Sequence, residues 1–205
     1  MATLSDRDAH TWHALAERIS ATVHQRLAPG VLANRSLSEA YDRRRLWPAL
    51  RRARLVARTL GLRAGLVIRT DVRAFYPSVT PSVTFRALVG LDVDRRLAAG
   101  VGTMLEAWGS EGYSGLPIGP PGSAVIANGV LAGVDARLTH LPFLRWVDDY
   151  LVVVQRERDL PEVLDRLDSA LREVGLERSA PKTEILEGGP GLVWPGTYGH
   201  AGSSE

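Results

Sequence analysis

The sequence predicts an α+β domain in which a ferredoxin-like antiparallel sheet carries helices on one face. Three observations predict it. Short apolar, β-branched runs occur at 65–72, 143–147, 150–154 and 183–186, separated by segments of helical period. Their order is strand, helices, strand, strand, helix, strand. The middle two runs flank a tight bend and so pair as a hairpin. At 205 residues the chain is one domain, or one domain with extensions.

The elements follow in order. Ser5 with Asp8 resembles a capping box, and Trp12, Leu15, Ile19 and Val23 repeat at helical spacing, so a helix is expected over 6–27, ending near Pro29-Gly30. A second helix starts at Ser38, carries a kink at Pro48 and stops at Gly61. "GLVIRTDV" (65–72) is a strand, "FYPSVTP" turns the chain, and Thr80-Pro81 opens a short helix as N-cap and N1. Asp92 is expected to cap the next helix, to about Trp108, and 109–122 form a Gly/Pro loop. "SAVIANGVLAGVDARL" reads as a buried helix with small residues for close packing. "FLRWV" and "YLVVV" are strands around a bend at Asp148-Asp149. "LPEVLDRLDSALREVG" is an amphipathic helix ended by Gly175, and "TEIL" is the last strand. The expected organisation is a helical region at 1–61, the α+β core at 62–187 and a Gly-rich, disordered tail at 188–205.

Composition excludes several classes. There is no cysteine, hence no disulfide, thiolate zinc site or thiol chemistry. No run of eighteen apolar residues is present, and the polar, acid-bearing start does not resemble a secretory signal; the expectation is a cytoplasmic protein with no membrane partner. The net charge of +2 conceals an asymmetry. Residues 35–73 hold eleven arginines against Glu39, Asp42 and Asp71, whereas 148–187 hold eleven acids against six bases. A basic segment facing an acidic one suits a polyanion beside a cation site; a solvated helix face is the other reading. Lys182 is the single lysine, every other base counted with it being arginine.

Two adjacent aspartates in "RWVDDYLVV" fit either a plain turn or a cation site. The flanking strands are apolar, which puts the pair at the rim of a core. Asp71 ends the first strand, and the assumed strand order lays that strand beside the hairpin. Asp71 and Asp148 then meet at one sheet edge, where carboxylates bind Mg²⁺ and leave its waters free for phosphates.

"TDVRAFYPSV", "GLPIGPPGSAVIAN", "LRWVDDYLVV" and "GLERSAPKTEI" resemble, in order and spacing, four consecutive palm motifs of reverse transcriptases. The flavour is that of bacterial retron, group II intron and abortive-infection enzymes, and the resemblance covers roughly residues 62–187. It implies RNA-directed DNA polymerase chemistry on a polymerase palm, with two Mg²⁺ (or Mn²⁺) ions held by Asp71, Asp148, Asp149 and the Val72 carbonyl. Tyr76 falls at the aromatic steric gate that favours dNTPs, with Phe75 beside it in the core. Gly119 and Ser123 fall in the loop-to-helix motif that contacts nucleotide, and Ile118 stands where many members carry glutamine. Trp146 replaces the usual tyrosine or phenylalanine near the primer end. Lys182 falls where the family places a basic residue that protonates the departing pyrophosphate; an amine can donate there, whereas guanidinium stays protonated, with a pKa above about 12.

The N-terminal helices would then be reduced fingers. Arg51, Arg52, Arg54, Arg58 and Arg69 are nucleic-acid or triphosphate contacts by charge alone. A primer grip and thumb are reduced at most to "LVW" (192–194). The resemblance therefore implies a compact polymerase acting on dNTPs and an RNA or DNA template–primer. A partner chain or homo-oligomer would complete it, and phage defense is the setting. The alternative is a non-enzymatic reverse-transcriptase-like module that binds nucleic acid or protein.

Overall fold

The computed structural model describes residues 4–41, 43–61 and 64–189. The tail expected to be disordered, and with it 192–194, lies outside the described residues apart from Gly188 and Gly189.

Four strands form one antiparallel sheet: β1 (Leu66–Asp71), β2 (Phe143–Trp146), β3 (Asp149–Val154) and β4 (Glu184–Glu187), in the order β2-β3-β1-β4. This is the ferredoxin-like order. The central pair places Leu66 opposite Val154 and Asp71 opposite Asp149. Eight helices are described: α1 (Asp6–Arg26), α2 (Leu37–Tyr41), α3 (Arg43–Gly61), α4 (Phe75–Ser78), α5 (Pro81–Gly90), α6 (Arg95–Ser110), α7 (Pro121–Arg137) and α8 (Leu160–Glu173).

Strand alternation sorts the sheet into two faces. Ile68, Phe143, Tyr150, Val152 and Val154 enter the main core with Ile19 and Val23 of α1, Val130 and Val134 of α7, and Leu167 and Leu171 of α8. α7 is apolar on all sides but for a few polar residues, Asn128 and Asp135 among them, which suits a helix buried between α1, α5 and the sheet. Val67, Leu144, Leu151 and Val153 point the other way and form a second, smaller cluster with Ala53 and Ala57 of α3. The helices between the strands thus cover one face, and α3 lies on part of the other. Val56 and Leu60 of α3 pack beside these alanines, half-buried.

Several boundaries differ from expectation. The helix expected from Ser38 is described over Leu37–Tyr41 and Arg43–Gly61, residue 42 lying outside the described residues, and α3 continues through Pro48. Asp92 does not cap α6; Asp94 does, its Oδ1 accepting from the amides of Arg96 and Leu97. Asp92 instead takes φ +65° just past α5, where its amide donates to Val89 O and that of Val93 to Leu88 O. That closes α5 in a Schellman-type stop, a left-handed position that aspartate tolerates. The hairpin bend is one residue earlier than expected. It spans Val147 and Asp148, and Asp149 is already in β3, opposite Trp146.

Candidate active site

Asp71, Asp148 and Asp149 arrive at one end of the central strands from two distant segments. Asp71 closes β1, Asp149 opens β3 directly across from it, and Asp148 occupies the intervening bend. Opposed residues in an antiparallel pair share a face, so Asp71 and Asp149 project to the same side. The Val72 amide donates to the Asp148 carbonyl at 3.3 Å, joining the end of β1 to the bend.

The charges are crowded and only partly compensated. Asp71 is 6% exposed; its Oδ2 accepts from Lys182 Nζ at 2.5 Å, and its buried Oδ1 has no hydrogen-bond partner. Burial, then the neighbouring Asp148 and Asp71 charges, push the Asp149 carboxyl up to about 6. Burial chiefly, with Asp71 adding, also raises Asp148. A bare buried carboxylate oxygen beside two carboxyls that resist ionisation fits a hard divalent cation, which takes oxygen ligands and removes the repulsion. Among the described residues no set of three such ligands is already closed into an ion cage. The Lys182 ammonium holds one Asp71 oxygen instead.

Lys182 is brought there by the segment between α8 and β4. The Ser179 amide donates to Asp71 O at 2.9 Å, and the amide of Arg73 to Glu177 O at 2.8 Å. Arg178 forks onto Asp168 of α8 at 2.7 and 2.9 Å and donates to the Thr183 hydroxyl, which also meets that of Thr70 at 2.8 Å. Lys182 sits on a single 3₁₀ turn at the end of this strap, its side chain 58% exposed. The hydrogen bond and charge of Asp71 raise its pKa.

Tyr76, on the one-turn helix α4 just after Asp71, is half-buried. Burial and then the Asp148 charge push its phenol up to about 12, so it stays neutral beside the acids. The Gly/Pro loop packs against it: the Leu116 amide donates to Tyr76 O at 2.9 Å. Gly115 has φ +68°, and a Cβ there would stand 2.0 Å from the same carbonyl, so only glycine allows this approach. Gly119 and Ile118 lie exposed in this loop, Gly119 at φ +117°.

Trp146, opposite Asp149, and Arg69, two residues before Asp71 on β1, flank the acids, whereas the remaining expected residues lie elsewhere. Ser123 is 1% exposed; its hydroxyl accepts from Trp12 Nε1 at 3.1 Å, and its amide donates to Pro120 O. So placed, its buried hydroxyl ties α7 to α1. Trp146 packs into the second cluster beneath α3. Arg51, Arg52, Arg54 and Arg58 are all exposed on α3, and the spacing of Arg51, Arg54 and Arg58 gathers those three on one side. Arg69 is paired with Glu184 of β4 at 2.5 Å.

A second polar cluster lies behind the bend and was not anticipated. Arg145, 0% exposed, donates through Nε and Nη2 to both oxygens of Asp135 and through Nη1 to Asn128 Oδ1. Tyr150 OH donates to Asp135 Oδ1 at 2.9 Å. Burial opposes the guanidinium charge, but Asp135 and Tyr150 outweigh it and the arginine is held charged. The signal was present: one arginine in the apolar run "FLRWV", and Asn128 and Asp135 two helical turns apart in an apolar helix. The bend these residues support is strained. Val147 has φ +58°, a region that costs a β-branched residue about 1–3 kcal/mol.

The described helices include none long and apolar enough to cross a membrane. No curated protein matches the chain. Among solved structures, apo telomerase from Candida tropicalis superposes with a TM-score of 0.56 at 13% identity, covering 87% of this chain and 36% of that one. Telomerase from Candida albicans, in complex with a TWJ fragment of telomeric RNA, gives 0.51 at 14% identity, covering 87% and 34%. At such identity the likeness is one of fold, and this chain spans about a third of the telomerase chains. The sequence model of the reverse transcriptase (RNA-dependent DNA polymerase) family matches residues 14–197. A match over that much of the sequence shows the family: the chain belongs to the reverse transcriptases.

Proposed function

We propose that this chain is a compact palm that transfers nucleotides from dNTPs to a primer by a two-metal mechanism. The observation that carries the reading is the meeting of Asp71, Asp148 and Asp149 at one sheet edge, with an uncompensated buried oxygen among them. Asp71 and Asp148 would hold Mg²⁺ or Mn²⁺, with Asp149 and the Val72 carbonyl assisting. Ions bound there would activate the primer hydroxyl and stabilise the leaving pyrophosphate.

The chain's own residues supply placement. The Tyr76 ring, whose backbone is held by the 115–116 loop and which packs edge-on against Phe75, is the surface against which the sugar would rest. A 2′-hydroxyl would crowd it. Lys182 is the one amine beside the acids and would donate a proton to the pyrophosphate once a cation replaces it on Asp71. Gly119, with no side chain, lets a strand or nucleotide approach the loop backbone. The arginines of α3 would follow the phosphate backbone.

The RNA fragment in the Candida albicans telomerase structure supports a template–primer as partner. The motif flavour supports a defence setting against phage. Primer extension with Mg²⁺ or Mn²⁺ tests the reading against Asp148→Ala. Incorporation should fall by about 10³-fold or more in the variant. Activity that survives the substitution would remove Asp148 from the chemistry; none on any template, while nucleic acid still binds, would leave the binding-module reading in its place.

A further inference from the structure

We propose that Arg145 and Asp135 are positioning residues for the acidic site: their buried pair clamps the strained bend that presents Asp148 and Asp149. The inference rests on the reading of those aspartates as the reactive centre.

Val147 holds a backbone conformation that valine does not adopt unaided. Arg145 Nη1 donates to the Val147 carbonyl at 2.7 Å. The same planar guanidinium is fixed on its other edges, by both Asp135 oxygens and by Asn128. A rigid fork with its remaining donors committed cannot swing away from the carbonyl. The next residue is Asp148, whose carbonyl accepts from the Val72 amide. One line of contacts therefore runs from α7 through Arg145 to the bend and on to the end of β1, where Asp71 lies.

The clamp has a second arm. Asn128 Nδ2 donates to the carbonyls of Ala33 and Asn34, at 3.1 and 2.8 Å. Backbone bonds from Arg145 N to Gly30 O and from Leu32 N to Arg145 O lay the 30–32 segment along the β2 edge. The loop after α1 thus braces the arginine that braces the bend. Lysine would keep the charge against Asp135 but would not span Asp135, Asn128 and Val147 at once, since an ammonium is compact and lacks the fork. The cluster lies on the other face of the sheet from Asp71 and Asp149, and because the Arg145 charge also bears on Asp148, the charge-keeping Arg145→Lys isolates the effect that passes through the bend.

Two variants test this. In Asp135→Leu/Arg145→Met/Tyr150→Phe the charges are replaced by apolar groups of similar size, an exchange that buried pairs tolerate. Arg145→Lys keeps the charge and loses the fork. Thermal melting reports folding, amide hydrogen exchange reports the bend, and steady-state incorporation with Mg²⁺ reports kcat and KM separately. In folded variants, exchange at Val72 and Val147–Asp149 should quicken by roughly tenfold while Leu151–Val153 and α7 stay as in wild type. kcat should fall about tenfold or more, with KM for dNTP changed less than about threefold. Wild-type exchange at the bend in a folded triple variant would overturn the proposal. So would unfolding of both variants, which would assign the cluster to global stability. Should the wild-type chain incorporate no nucleotide, the polymerase reading fails, while the exchange measurement still decides whether Arg145 holds the bend.

Discussion

Two buried aspartates serve opposite faces of the same hairpin, and their surroundings differ in kind. Asp135 is saturated: a guanidinium fork and a phenol hydroxyl satisfy both oxygens. Asp71 is left open, with one oxygen on an exposed lysine and the other on nothing. Around Asp135 there is a matching positive charge; around Asp71 there are two more carboxyls. The first arrangement stabilises a fold. The second costs stability, a cost that the proposed cation would offset. Burial alone does not tell a structural acid from a reactive one; the count of satisfied lone pairs does.

Substitutions should separate the two regions by sign as well as size. Asp135→Leu alone strands the Arg145 charge in the core and should destabilise the chain by about 3–5 kcal/mol in urea unfolding. Asp149→Asn should instead stabilise the metal-free chain by up to about 1 kcal/mol, because it relieves repulsion, while lowering incorporation sharply. Equal losses at both positions would erase the distinction. Lys182→Arg keeps the charge beside Asp71 but donates a proton poorly, so incorporation should slow by about 10²-fold; a wild-type rate across pH would remove the donor role. Gly30→Ala would place a Cβ 2.3 Å from the Phe143 carbonyl, push the 30–32 segment off β2 and cost about 1–3 kcal/mol.

The smallest effect is in pH dependence. Asp149 titrates near 6 in the folded chain and near about 3.9 unfolded. The folded state then binds more protons at Asp149 across that window, so the contribution of this one group to metal-free stability is full below about pH 4 and is lost as pH rises through about 6. The decline should be about 1 kcal/mol, since solvent screens a half-buried carboxyl, and Asp149→Asn should flatten it.

Much of the reactive side was legible in the sequence because strands and acids announce themselves locally. Apolar runs gave the strand order, and the order brought Asp71 to the hairpin. The bracing side was less legible. Asp148-Asp149 looked like the bend, yet the bend begins at Val147, a residue no turn preference selects. Only the grip of Arg145 on its carbonyl explains that position, and that grip is a contact between segments. Ser123 carried a motif position but was claimed by Trp12, far away in sequence. Asp92 and Asp94 are both fair caps; the choice was made by burial of Val93 between them. α3 was read by its arginines, and its alanine face against the sheet was not seen.

The most direct measurement is a Mn²⁺ titration of the wild-type chain and of Asp71→Asn, followed by the spin-resonance signal of free Mn²⁺. Saturable binding in the wild type, weakened by roughly tenfold or more when the open oxygen loses its charge, is the predicted result. Equal binding in both chains would show that Asp71 shares no ion with the hairpin acids, and would contradict the account.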